Sequence, residues 1–354
     1  MGFGLRWRSL LAALLAGLLA GCAGADAPEL ASARMARILS RGRLVCGSNG
    51  QLPGFSVIRA DGHYEGIDVD VCRALAAALL GDPSKLELRP LNTADRFAAL
   101  VSGEVDLLSR NTTISLTRDA PGGNALSFAP VIFYDGGGLL APFSSGIAGL
   151  RDLAGVTVCV LSGSSNEMVI ADQMRQLALP YTPLRFHSAD EAFSAYESGR
   201  CTAITSDRSG LAARRSRFRD PQAHRLLAVT LSKEPLAPVT AQSDPVWADA
   251  VRWVVNGLIE AEEQGITQAN VAARLAEAKA DPRLAERRRF LGVEGHLGRQ
   301  LGLPDDFVVR MIQAVGNYGE IYARNLGERS PLGLARGLNR LQRDGGLMVS
   351  PPFR

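Results

Sequence analysis

The sequence predicts an α/β protein of two linked units with a helical appendage, and three observations carry that reading. From Arg43 onward, short apolar runs alternate with amphipathic ones, strand followed by helix. The alternation breaks at Gly136-Gly137-Gly138 and restarts near Val156. The length, 354 residues, exceeds what one small core organises.

Taken in order, Leu44-Val45-Cys46 opens a strand, and residues 49–55 form a loop punctuated by Gly and Pro. Asp61-Gly62 turns a hairpin. Residues 67–80 read as a helix with Val71, Leu75 and Leu79 on one face, and 85–90 as a strand. A helix over 93–102 is expected, with Thr93 as N-cap and Phe97, Leu100 and Val101 packed inward. Three glycines at 136–138 lack the G-x-G-x-x-G or G-x-x-x-x-G-K-[ST] spacing of a phosphate loop, so a flexible crossover is the expectation. Beyond it come a strand over 156–161, a helix to about Leu177, a helix over 191–198 and the strand Ala203-Ile204-Thr205. The strong helix over 246–262 carries Trp247, Val251 and Leu258 on a core face; charged amphipathic helices follow, 271–279 among them. The Arg287-Arg288-Arg289 run reads as a solvated face rather than a docking patch.

The N-terminus assigns a compartment. Arg6 and Arg8 precede an apolar run over 10–20, too short to span a bilayer but sized for a signal-peptide core. Leu19-Ala20-Gly21-Cys22 then reads as a lipobox, with Cys22 lipidated as the first mature residue. The formal charge of +3 falls to about +1 once Arg6 and Arg8 are removed, which excludes the basic footprint of a nucleic-acid binder. Setting Cys22 aside leaves Cys46, Cys72, Cys159 and Cys201, an even set suited to an oxidising compartment. Three pairings are possible; Cys46–Cys72 and Cys159–Cys201 are favoured because neighbours keep each bridge within one folding unit. With no C-x-x-C pair, and with His63, His187, His224 and His296 scattered, no metal or cofactor is expected.

Polar residues cluster where strands end. Ser109-Arg110-Asn111-Thr112-Thr113 and then Arg118 follow the strand at Leu107-Leu108, offering hydroxyls and a guanidinium fork to a small anion; a solvated loop is the alternative. Ser162-Gly163-Ser164-Ser165 feeds a helix N-terminus, where unpaired N–H groups and the dipole favour an anion. Ser164 does not sit in the G-x-S-x-G of a nucleophile elbow. Asp207 ends a strand, placed either to face a ligand or to cap the next helix.

In that order these motifs resemble the polar-amino-acid-binding proteins of ABC uptake systems, solute-binding protein family 3, and more specifically the general L-amino-acid-binding subgroup. Leu44-Val45-Cys46-Gly47, Leu52-Pro53-Gly54-Phe55, Lys233-Glu234-Pro235-Leu236, Val293-Glu294-Gly295, Gly316-Asn317-Tyr318-Gly319-Glu320 and Asp344-Gly345-Gly346-Leu347-Met348 carry the likeness across residues 41–354. The resemblance implies a type II periplasmic-binding-protein fold. Residues 1–21 would be the signal peptide, 22–40 a tether, 41–135 and 239–265 lobe 1, and 136–238 lobe 2 with hinge strands at both ends. Residues 266–354 would form an extension packed on lobe 1. It further implies a monomeric, lipid-anchored periplasmic receptor that delivers a free L-amino acid to a permease and performs no chemistry.

By position, Arg118 would clamp the ligand α-carboxylate, with Thr113 sharing it and Ser164 and Ser165 binding its other side. Asp207 would pair with the α-ammonium, and Asn111 would contribute near it. Arg110 would grip an acidic or amide side chain, or else pair with Glu104 or Asp106. The chain departs from the family in carrying serines rather than threonines at 164 and 165, and no ligand-stacking aromatic in the 48–55 loop. An enzyme on this fold, dehydratase- or transglycosylase-like, would need a buried carboxylate; Glu320 is the candidate, without the flanking pattern of transglycosylases. A sensor is the third reading.

Overall fold

A computed structural model describes residues 32–354. The signal-peptide and Cys22 lipidation assignments therefore lie outside the described residues. The elements in chain order are α1 (Ala33–Arg41), β1 (Leu44–Ser48), β2 (Gln51–Leu52), β3 (Ser56–Ile58), β4 (Tyr64–Glu65), α2 (Ile67–Leu80), β5 (Leu86–Pro90), α3 (Arg96–Ser102), β6 (Leu107–Leu108), α4 (Leu116–Asp119) and β7 (Leu126–Phe128). Then come β8 (Phe133–Pro142), β9 (Thr157–Leu161), α5 (Ser165–Gln176), β10 (Thr182–Phe186), α6 (Ala189–Glu197), β11 (Ala203–Asp207), α7 (Arg208–Arg215), β12 (His224–Leu226), β13 (Lys233–Leu236) and β14 (Val239–Ala241). The chain ends in α8 (Pro245–Glu263), α9 (Val271–Ala280), α10 (Ala285–Phe290), α11 (Phe307–Val315) and α12 (Tyr318–Asn325).

Two sheets repeat one plan. The first is ordered β5-β1-β6-β14-β7 and the second β10-β9-β11-β8-β12, with β13 paired to β8. In each, three parallel strands meet one antiparallel strand that has crossed from the other half of the chain: β14 against β6, and β8 against β11. The C-terminal ends of β1 and β6, and of β9 and β11, thus open beside a reversal of strand order, where α/β sheets hold ligands.

The chain does cross between the lobes at 136–138, but as strand rather than flexible loop: these glycines are the interior of the ten-residue strand β8, which runs from Phe133 in one core to Leu139 in the other. Its backbone pairs with β13 at Gly136 and with β11 at Gly137 and Gly138. A Cβ there would lie 2.4 Å from Thr230, 2.6 Å from Ser232 and 2.8 Å from Arg208, so close packing rather than freedom demands glycine. β8 and β13 run antiparallel between the two sheets, with Asp135 facing Glu234 in register.

Part of the expected tether is structured. Ser32 caps α1 by accepting from Met35 N, Gly42 closes it in the left-handed region (φ 73°), and Met35 and Ile38 enter the lobe 1 core. Asp244 takes the Ser32 hydroxyl at 2.8 Å and caps α8 through Trp247 N at 3.0 Å, joining two helix starts. Residues 266–354 share that same core: α11 packs on α2, α12 on α8, and Phe290, Ile312 and Tyr318 are buried.

Three further expectations need correction. Helix α3 starts at Arg96 behind Asp95, because Asn92 accepts from Asp95 N at 2.9 Å and makes the turn, while the Thr93 hydroxyl accepts from Arg110 instead of capping. Val101 on that helix is exposed. The Arg287–Arg289 run is partnered rather than freely solvated: Arg287 pairs with Glu277, and Arg288 and Arg289 with Glu294.

Disulfides join Cys46 to Cys72 and Cys159 to Cys201, one within each lobe. Cys46–Cys72 links β1 to α2; Cys159–Cys201 links β9 to the turn before β11.

A candidate amino-acid-binding cleft

The cleft is built at strand ends. The loop after β6 brings Arg110, Asn111 and Thr113 to one wall; the first turn of α5 and the end of β11 bring Ser164, Ser165 and Asp207 to the other. The walls meet. Asn111 Nδ2 lies 3.4 Å from Asp207 Oδ2, and the Thr113 and Ser165 hydroxyls lie 3.4 Å apart, so the lobes stand closed around a space of about 60 Å³. Arg110 and Thr93 also line an outer chamber of about 300 Å³.

Asn111 adopts a positive φ of 38°, a conformation asparagine tolerates better than most residues. Asp68 holds it there, accepting from Asn111 N and from the Ser109 hydroxyl, each at 3.0 Å. Burial pushes the Asp68 carboxyl up to about 7, against those hydrogen bonds.

Across the cleft, Ser164 caps α5 by accepting from Glu167 N at 3.1 Å. Ser164 and Ser165 both face the cavity. The Asp207 side chain does not cap α7; its carboxylate accepts from Asn166 at 2.8 Å and from Asn111. Burial, then repulsion from Asp135 and Glu234, raises its pKa well above the carboxylate range.

Arg118 is buried but does not line the cavity. Its guanidinium donates to the Thr113 carbonyl at 2.7 Å and lies 5.4 Å from the Phe97 ring. Burial lowers its pKa, while Glu234 and Asp207 support its charge. Arg110 pairs with neither Glu104 nor Asp106, which are taken by Arg89 and by Arg34 and Arg41. It donates to the Leu91 carbonyl at 2.8 Å and to Thr93 at 3.2 Å, and burial lowers its pKa to about 10.

Sequence reasoning missed Arg96, Phe193 and Glu234. Arg96, 4 % exposed, lines the cavity, yet its Nε has no partner and its side chain makes no ion pair among the described residues. Burial and the nearby charges of Arg110 and Arg118 hold its pKa well below the usual guanidinium range. The signal was available: Arg96 follows the turn at the end of β5, another strand end on the same edge. Phe193 supplies an aromatic wall from lobe 2 where the 48–55 loop offers none, since Phe55 is turned into the core against Phe133. Glu320 is a helix cap: it accepts from Asn317 N and Gln268 N, and Asn317 accepts from its backbone.

A pocket with Arg96 and Arg110 on the lobe 1 wall and Asp207 on the lobe 2 wall, where the other lining guanidinium among the described residues, Arg214, is paired with Asp190, suits a molecule carrying both charges. Comparisons with known proteins agree. Residues 44–287 match the family model of bacterial extracellular solute-binding proteins, family 3. The chain is 43% identical, over 96% of its length and 97% of the relative's, to the glutamate/glutamine/aspartate/asparagine-binding protein BztA of Rhodobacter capsulatus. It is 42% identical to the general L-amino acid-binding periplasmic protein AapJ of Rhizobium johnstonii, over 98% of both chains. A solved periplasmic binding protein of Brucella ovis with glutathione bound superposes with a TM-score of 0.84 at 43% identity, covering 90% of this chain and 99% of that one. The two-lobed arrangement is the type II periplasmic-binding-protein fold, and the chain belongs to family 3 of the bacterial extracellular solute-binding proteins.

Proposed function

We propose that this chain is the substrate-binding subunit of an amino-acid ABC importer, tethered by a lipid on Cys22, which captures polar and acidic L-amino acids and presents them to the permease. The observation that carries the ligand class is the pair Arg96 and Arg110: both are buried on the cavity wall, and neither has an ion-pair partner among the described residues. A buried cation without a counter-ion is costly, so these two call for an anionic or strongly polar ligand side chain. Asp207 then takes the α-ammonium, and Thr113 and Ser165 the α-carboxylate, with Arg118 holding Thr113 from behind and supplying positive charge. The names of the relatives, which include acidic and amide amino acids, support this reading.

One observation favours a longer ligand as a second reading. The outer chamber continues from Arg110, and the Brucella ovis relative carries a tripeptide thiol. Both readings share one experiment: a thermal-shift screen of ligand-stripped chain (residues 23–354) against the free L-amino acids, their D-forms and glutathione. A ligand that binds only the folded state raises the midpoint by mass action. Shifts with L-glutamate, L-glutamine and their homologues, and none with D-forms, are expected. A shift with glutathione alone would establish the second reading, and no shift with any compound would overturn both.

A further inference from the structure

Thr113 stands on the lobe 1 wall and Ser165 on the lobe 2 wall, yet both hydroxyls donate to one oxygen of the same side chain. Glu234 Oε2 accepts from Thr113 at 2.6 Å and from Ser165 at 2.8 Å; its Oε1 accepts from Ser232 at 2.5 Å. Glu234 is 2 % exposed and lies on β13, beside β8 between the lobes. Each hydroxyl carries a single proton, so both donors are committed as long as this carboxylate holds them. The arrangement of a buried carboxylate, a hydroxyl from each lobe and a nearby arginine is the one required of the ligand α-carboxylate under the proposed function.

We propose that Glu234 is an internal competitor for the ligand α-carboxylate, bridging the lobes through Thr113 and Ser165 and surrendering those hydroxyls when the ligand enters. This inference rests on the ligand reading given above. Two consequences follow from the chemistry. The Glu234 bridge favours closure by itself, because it satisfies one donor from each wall. It also sets a threshold for ligands: a second carboxylate arriving at the Thr113 and Ser165 hydroxyls meets the like charge of Glu234, with Asp207 on the wall of the same cavity. A ligand with an α-ammonium offsets that repulsion at Asp207. A simple carboxylic acid does not, so Glu234 selects for the zwitterion and against the amine-free acid.

The test uses ligand-stripped chain (residues 23–354) with spin labels at exposed positions on each lobe, Val101 and Met168; the four cysteines left after Cys22 are disulfide-bonded. Glu234→Gln removes the charge, and Glu234→Asp keeps it on a stem too short to reach both hydroxyls. Without added amino acid, the wild-type chain is expected to populate the short interlobe distance, and both variants to shift toward the longer one. On titration with L-glutamate and L-glutamine, Glu234→Gln is expected to bind about tenfold more tightly than wild type. Unchanged distances in both variants, or weaker binding by Glu234→Gln, would overturn the proposal. If none of the chains binds either amino acid, the ligand reading fails, and the distances alone still decide whether Glu234 bridges the lobes.

Discussion

The backbone N–H of Asn111 donates to the Asp68 carboxylate at 3.0 Å, fastening the cleft loop to the first turn of α2. Asp68 is therefore a positioning residue that never enters the cavity. Its carboxyl is raised to about 7, from an ordinary 3.8, chiefly by burial. Between those values the folded chain holds this proton and the unfolded chain has lost it. Stability thus falls as pH rises from about 4 to about 7. Melting temperatures of Asp68→Asn should decline less steeply than those of wild type over that window; parallel curves would refute the assignment.

Arg118 supports Thr113 from behind. Arg118→Ala should weaken amino-acid binding by about 2–5 kcal/mol, about 30-fold to several thousand-fold, through loss of the charge and of the Thr113 carbonyl contact. Calorimetric titration reads this directly. A loss below about tenfold would remove Arg118 from the site.

Arg96 should control selectivity more than affinity for the α-groups. Arg96→Gln is expected to lower L-glutamate binding by about tenfold or more while leaving L-glutamine within about threefold, since only the anionic side chain loses a counter-charge. Equal losses for both amino acids would mean that Arg96 shapes the wall without reading charge.

Asp207 carries a raised pKa because it is buried near Asp135 and Glu234. A ligand ammonium beside it stabilises the charged form and lowers that pKa. Binding near neutral pH should then release protons, visible as a dependence of the apparent binding enthalpy on the buffer's ionisation heat. Asp207→Asn should abolish that dependence and most of the affinity.

The disulfides close 26- and 42-residue separations. Chain-entropy arguments assign them about 3.5 and about 4 kcal/mol. Replacing Cys159 and Cys201 by serine should destabilise lobe 2, as read by hydrogen exchange, and leave protection in lobe 1 unchanged. Protection lost equally in both lobes would show that they unfold as one unit.

The strands and helices were legible because their patterns are local. Residues 67–80 read as a helix from apolar spacing alone, and α2 spans Ile67–Leu80. The polar runs after β6 and before α5 were legible for the same reason, since hydroxyls at a strand end or helix start stand out in any window. Thr93 was misread because a turn made by Asn92 and Asp95 and a hydrogen bond from Arg110 both outweighed its capping preference. The crossover at 136–138 was legible, but its glycines were read as flexible because what they make room for, Thr230, Ser232 and Arg208, lies far along the chain.

The sequence by itself determined the α/β alternation, the even cysteine set and the polar segments available to a cleft, because propensity, spacing and composition act over a few residues. Only the tertiary structure decided which polar groups meet. Glu234 joins Thr113 across 121 positions and Ser165 across 69, and Arg96, which its place after a strand end puts at the cleft, stands buried there without a counter-ion among the described residues. The free energy of a charge depends on its burial and its partners, and both exist only after distant strands have brought the two lobes together.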